Sequence, residues 1–273
     1  DWSDAVRDIK TIVHCAGRVH VTKETAENPV EAFRYVNVQG TLKLARQAAE
    51  AGVHRFILIS SIGVNGSETF GQAFKADDIA APYSPYAHSK WEIEQALLAL
   101  SRENGMEIVV IRAPMIYGRN APGNFRHLWR AVHYQIPLPF EQVCNLRSFA
   151  AIDNIVDLII TCLEHPKAVN QIFLVSDGED LSTPEFIRRI AQSANKKTML
   201  FPVPEAWLTR AAGWFGKQQQ LRKIIGSLQI DIQKTTQMLS WKPVIGVDEA
   251  LKKAIYCHNN RALPFEQQPL LRH

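Results

Sequence analysis

Three stretches of the chain are apolar almost without a break over the length of a strand: Thr11-Ile-Val-His-Cys15, His54-Arg-Phe-Ile-Leu-Ile-Ser60 and Glu107-Ile-Val-Val-Ile-Arg112. Such runs suit strands of a parallel sheet covered on both faces. Between them the apolar residues recur at helical spacing. Val30, Phe33, Val36, Leu42 and Ala45 mark a helix from about Pro29 to Gly52, despite Gly40. Trp91, Ile93, Leu97 and Leu100 mark a second, which stops at Asn104-Gly105. Strands alternating with helices of these lengths predict βαβ units, and so an α/β fold with a Rossmann-like, doubly wound parallel sheet.

The pattern loosens beyond Gly123. Helices are expected over 124–135, from Asn154 to Glu164, after the capping-box type start Ser182-Thr-Pro-Glu185, and near 205–215, 219–227, 231–239 and 247–258. Short strands are expected at Ser148–Ile152 and Gln171–Val175. The chain divides into a partial dinucleotide-binding portion, 1–120, and a smaller, mostly helical substrate lobe, 121–273, with some strands returning to the main sheet. From Leu263 the sequence reads as a polar tail.

Composition sharpens this only by exclusion. The 273 residues are 46% hydrophobic and 21% charged, ordinary for a globular protein. A net charge of +4 without a long Lys/Arg block argues against a dedicated nucleic-acid surface. The apolar run Ile155–Leu163 is broken by Asp157 and is too short to span a bilayer. Cys15, Cys144, Cys162 and Cys257 form no C-x-x-C pair and read as buried free thiols of a reducing compartment. With no visible signal peptide, a cytoplasmic location is expected. Asp77-Asp78 lacks partners at metal-ligand spacing and reads as a solvated acidic loop.

The chemistry concentrates in Tyr83-Ser-Pro-Tyr86-Ala-His-Ser-Lys90. Residues four apart share a helix face, so the Lys90 ammonium can stand near the Tyr86 phenol and favour its ionised form. A phenol with a lowered pKa is a suitable acid/base for alcohol–ketone chemistry. His88 points to another face and reads as a bystander. Ser60-Ser61 follows a strand directly, where functional groups of open α/β sheets gather. Ser61, Tyr86 and Lys90 together make a hydroxyl–phenol–ammonium set.

With this set, the chain resembles the extended short-chain dehydrogenase/reductases, the NAD-dependent epimerase/dehydratase family. The likeness also rests on Val13-His-Cys-Ala16-Gly17-Arg18, Val36-Asn37-Val-Gln-Gly40-Thr41 and Arg112-Ala-Pro-Met-Ile-Tyr117-Gly118. Gly123-Asn124-Phe125, Arg147-Ser-Phe149 with Asp153-Asn154, and Leu239-Ser-Trp241-Lys-Pro243 resemble the family's substrate-lobe markers. The resemblance implies that Tyr86 is the acid/base, that Lys90 contacts the cofactor ribose and lowers the Tyr86 pKa, and that Ser61 polarises the sugar C–O group. It implies NAD or NADP held by Ala16, Gly17, Arg18, Asn37, Ser60, Tyr86, Lys90, Pro114 and Ile116. A nucleotide-sugar substrate would be held by Ser61, Asn124, Phe125 and Arg147, with the diphosphate on Asn124 and Arg147. A homodimer through the Tyr86–Lys90 helix is a further expectation.

One departure stands out. Dinucleotide folds place G-x-G-x-x-G between their first strand and helix, and no such motif occurs here. The chain opens at Asp1, just before what resembles the family's fourth strand. The expectation is that the first strand, first helix and their neighbours lie outside this sequence, by truncation or an incomplete gene model, and that a polypeptide confined to these residues binds NAD(P) poorly and folds poorly. The leading functional reading is an NAD(P)-dependent epimerase or 4-keto-reductase working at C4 of a nucleotide-linked, UDP-type hexose. A dehydratase is disfavoured by the apolar Ile62 after Ser61. The alternatives are a reductase of a steroid-like or flavonol-like ketone on the same fold, and a catalytically inactive fragment or binding protein.

Overall fold

A computed structural model describes residues 1–19, 27–121 and 123–259. The tail from Leu263 and the Cys257 side chain lie outside the described residues. In chain order come β1 (Thr11–His14), α1 (Pro29–Arg34), α2 (Thr41–Glu50), β2 (Arg55–Ser61), α3 (Pro85–Asn104), β3 (Glu107–Ala113), β4 (Met115–Tyr117), α4 (Asn124–His133), β5 (Arg147–Ala151) and α5 (Ile152–Glu164). Then follow β6 (Gln171–Leu174), β7 (Asp180–Leu181), α6 (Thr183–Ser193), α7 (Glu205–Trp214), α8 (Gln218–Ile225), α9 (Gln233–Leu239) and α10 (Val247–Asn259).

The main sheet has the order β1-β2-β3-β6 and is parallel throughout. Its apolar runs serve two cores at once, because successive side chains point to opposite faces. Phe56, Leu58, Ile108 and Val110 pack with Ile93 and Leu97 of α3 on one face, while Ile57, Val109 and Ile111 pack with Leu158 and Cys162 of α5 on the other. A third core holds Tyr117, Phe125, Phe149, Phe186 and Leu251. It is built on a separate three-stranded sheet, β4-β5-β7, so the later part of the chain is less purely helical than its periodicity predicts.

The helices begin and end where the sequence marks them. Ser84 caps α3, its Oγ accepting from Ala87 N at 3.2 Å, with Pro85 in the first turn. Gly105, at φ 80°, closes it in the left-handed conformation. Ser182 caps α6 in the same way, through Glu185 N at 3.2 Å. The expected helix over 29–52 is one helical run with a change of winding inside it. Residues Tyr35–Gly40 form a π-helical segment between α1 and α2, a device often found at functional positions. Among the described residues, no helix is long and apolar enough to cross a membrane.

Candidate active site

The site forms where the carboxyl ends of β1, β2 and β3 meet the start of α3. The π-helical segment turns Asn37 inward, and its amide ties two elements together. Asn37 Oδ1 accepts from Arg18 N at 2.7 Å, while Nδ2 donates to Arg18 O at 3.0 Å and to Ser89 Oγ at 2.9 Å. Ser89 Oγ in turn donates to Tyr86 O at 2.8 Å. The turn Ala16-Gly17-Arg18 is thereby fixed against the first turn of α3. Gly17 keeps the space between them open: a Cβ there would lie 3.1 Å from Asn37 Oδ1 and 3.7 Å from Lys90 Nζ.

Ser61 ends β2, and its Oγ accepts from Gly63 N at 3.1 Å. A Cβ on Gly63 would sit 3.3 Å from Ser61 Oγ and 3.4 Å from Tyr83 Cε1, so glycine lets the head of α3 approach the strand end. Burial pushes the Tyr86 phenol up to about 12, against the pull of the nearby Ser61 hydroxyl. This corrects the expectation of a phenol lowered by Lys90. The lysine does share the face, but it is buried to 4% exposure and its Nζ donates to Ile59 O at 2.8 Å. Burial pushes Lys90 itself down to about 8, with the nearby Glu94 carboxylate opposing the shift.

Beneath these groups lies an ionic network that the sequence reading missed. Glu94 Oε2 and Arg112 Nη2 are 2.7 Å apart with both side chains out of solvent. Arg112 Nη1 donates to Asn65 Oδ1 at 2.9 Å, and Ser60 Oγ donates to Glu94. Ser60, expected among the cofactor contacts, therefore has its hydroxyl committed to Glu94. The visible signal was a glutamate at i+4 from Lys90, on the same helix face as buried Ile93 and Leu97. His14 was missed too. It interrupts the apolar run of β1, meets Thr41 Oγ1 at 2.9 Å, and is pushed down to about 4 by burial and by Lys90.

The substrate-lobe residues gather around a second feature. A crevice of about 60 Å³ is lined by Met115, Asn124, Arg147, Phe149, Phe186 and Lys223, among others. Burial lowers the Arg147 pKa, while the nearby Tyr83 hydroxyl and Glu68 oppose the shift. Arg147 Nη1 donates to Gly226 O at 2.5 Å. Tyr83 thus stands within electrostatic reach of both Arg147 and Tyr86, a link the sequence did not reveal. Phe125 does not line the crevice: it is fully buried, 5.8 Å from the Tyr117 ring, and supports the lobe from within. Pro114 is buried, and Ile116 packs onto the core around Ile155 and Leu158.

Asn154, one of the lobe markers, is a structural lock. It donates to Asp177 Oδ1 and Ile245 O, and accepts from Val244 N and Ile245 N. His88 is exposed on α3, away from the site. Asp77 pairs with Lys234 at 2.7 Å. The thiols depart from the expectation of burial: Cys162 is buried, but Cys15 and Cys144 are exposed.

Residues 1–176 match the NAD dependent epimerase/dehydratase family. The UDP-glucose 4-epimerase of Vibrio cholerae is 44% identical over 267 residues, which cover 96% of this chain and 81% of that protein. Among solved structures, the UDP-glucuronic acid 4-epimerase from Bacillus cereus in complex with NAD superposes with a TM-score of 0.75 at 20% identity, over 94% of this chain and 75% of that one. The UDP-glucose 4-epimerase with UDP-glucose from Thermotoga maritima gives 0.72 at 19% identity, over 92% and 78%. Likeness at that identity establishes the Rossmann-like architecture.

Proposed function

Because the chain belongs to the NAD dependent epimerase/dehydratase family, we propose that it is an NAD-dependent epimerase of a UDP-linked hexose, acting at the C4 alcohol. The observation that carries this reading is the convergence of Ser61, Tyr86 and Lys90 beside the open Gly17 turn, in a chain with a 44% identical 4-epimerase relative. Residues 1–120 serve the cofactor and 121–273 the nucleotide. A homodimer would form through the outer side of α3, where Trp91 is exposed.

The residues fit the ribose and nicotinamide end of NAD. A side chain at position 17 would fill the space in front of Lys90, and a Lys90 ammonium with one donor on Ile59 O has two left for ribose hydroxyls. NAD, when bound, supplies reversible hydride transfer. The protein manages the proton. At pH 7 the phenol is neutral, so Tyr86 Oη is set to give a proton to a C4 oxygen. Taking that proton back requires the Lys90 charge to stand nearer the phenol, since opposite charge favours the ionised form. Ser61 Oγ bonds to the same C4 oxygen and steadies it. Arg147 and Asn124 receive the diphosphate, for which a planar guanidinium is suited.

The test is incubation of the protein with NAD and UDP-glucose or UDP-galactose, followed by chromatographic separation of the sugar nucleotides. Interconversion that fails in Tyr86→Phe is expected. Absence of turnover together with absence of UDP binding in calorimetry refutes the sugar reading. In a parallel incubation with NADPH and a UDP-4-keto-hexose, stoichiometric consumption of reduced cofactor without epimerase turnover would instead identify a 4-keto-reductase using the same residues.

A further inference from the structure

Helix α7 has no buried residue. Its inner side is modest: Leu208 packs on the edge of the third core, and Ala212 is half-buried. Its outer side is large and apolar. Trp207 and Trp214 are seven residues apart, hence on one helix face, with Phe215 beside the second. They are 70%, 82% and 75% exposed. Burying such side chains is worth about 1.5–3 kcal/mol each, so three of them left side by side in water make a standing cost to the isolated chain. Exposed aromatic groupings of this kind mark interaction surfaces.

The charge around them indicates what covers them. Lys196, Lys197, Arg210, Lys217, Arg222 and Lys223 are all exposed along the same segment, against the single carboxylate Glu205. None of the six forms an ion pair among the described residues. A chain whose formal charge is only +4 thus keeps six exposed cations outside any ion pair among the described residues along the segment that carries its most exposed tryptophans. A protein partner would have to offer both an apolar face and a dense acidic rim. A lipid surface offers both at once: Trp and Phe settle at the headgroup–acyl boundary, while Lys and Arg meet anionic headgroups.

We propose that the α7–α8 segment docks this protein peripherally on an anionic phospholipid surface, with Trp207, Trp214 and Phe215 as anchors. Lys223 belongs both to this segment and to the crevice lining. The inference is independent of the epimerase reading and needs no catalysis.

The experiment is co-sedimentation with vesicles of phosphatidylglycerol and phosphatidylethanolamine, compared with pure phosphatidylcholine, over a range of salt. Binding to the anionic vesicles that weakens with salt is expected, together with a blue shift of tryptophan emission. Each surface cation contributes about fivefold to such binding, so Arg210→Glu with Lys217→Glu should weaken it by more than about 25-fold. Trp207→Ser, Trp214→Ser and Phe215→Ser combined should abolish co-sedimentation with the anionic vesicles without changing the thermal melt, because these side chains are exposed. Equal binding to both vesicle types, no binding to either, or unchanged binding by both variants overturns the proposal. So does conversion of a dimer to a monomer by the triple substitution without vesicle binding, which would assign the face to a second copy. Equally tight co-sedimentation with duplex DNA would show generic attraction to polyanions, and would overturn it as well.

Discussion

Lys90→Met should make the protein more stable while removing its activity. The lysine is buried at 4% exposure, and its ammonium is held at about 8 instead of 10.5. The unfolded chain therefore binds more protons than the native one between those values, and stability rises with pH across that window. At pH 7 both states are charged, so the native state bears the full cost of burying the ammonium, about 3 kcal/mol at 1.36 kcal/mol per unit. Methionine fills similar volume without charge. It forfeits the bond to Ile59 O, worth about 1 kcal/mol, which leaves a gain of about 2 kcal/mol. For a chain of this size that raises the melting temperature by about 4–8 °C. Calorimetric melts of both proteins from pH 7 to pH 10.5 provide the assay. The advantage of the methionine variant should shrink as pH rises through 8 and be gone by pH 10.5. A variant less stable at pH 7, or an advantage independent of pH, would show that the ammonium is not a buried cost and would refute the reasoning. Turnover of the UDP-hexose should fall at least about a hundredfold in the same variant.

Tyr86→Phe should lower kcat by about 10²–10⁴-fold with little change in KM, since the phenol moves a proton and binds little; a KM-only effect in steady-state kinetics would contradict this. Glu94→Leu should destabilise by about 3–5 kcal/mol by stranding the Arg112 guanidinium, whereas Glu94→Leu with Arg112→Met should cost far less than the sum of the two single changes; additive losses in denaturant unfolding would count against a coupled pair. His14 has its native pKa depressed from 6.5 to about 4, so the native state binds fewer protons in that window and loses stability as pH falls through it. His14→Gln should flatten that acid limb, and an unchanged slope in urea titrations would rule the assignment out.

The three buried strands and α3 were legible because each obeys a rule local to its own residues: a continuous apolar run, a Ser-Pro cap, a glycine stop. The same locality explains why Tyr86 and Lys90 could be found together, four residues apart on one helix. What failed to show was whatever depends on depth. Proximity along a helix face suggests that an ammonium lowers a phenol; burial, a property of the whole packed sheet, instead raises Tyr86 and turns Lys90 Nζ to Ile59 O. Ser60 and Ser61 are neighbours in sequence, yet Ser60 bonds to Glu94 inside the core while Ser61 Oγ accepts from Gly63 N at the site. Glu94 and Arg112 lie 18 residues apart, and only the packing of α3 on β3 brings them to 2.7 Å. The exposed aromatics of α7 were hidden for the opposite reason. Their spacing is that of an ordinary core stripe, and composition cannot tell a stripe facing a core from one facing water. That ambiguity resolves only when the other elements are in place and, among the described residues, none covers Trp207 and Trp214.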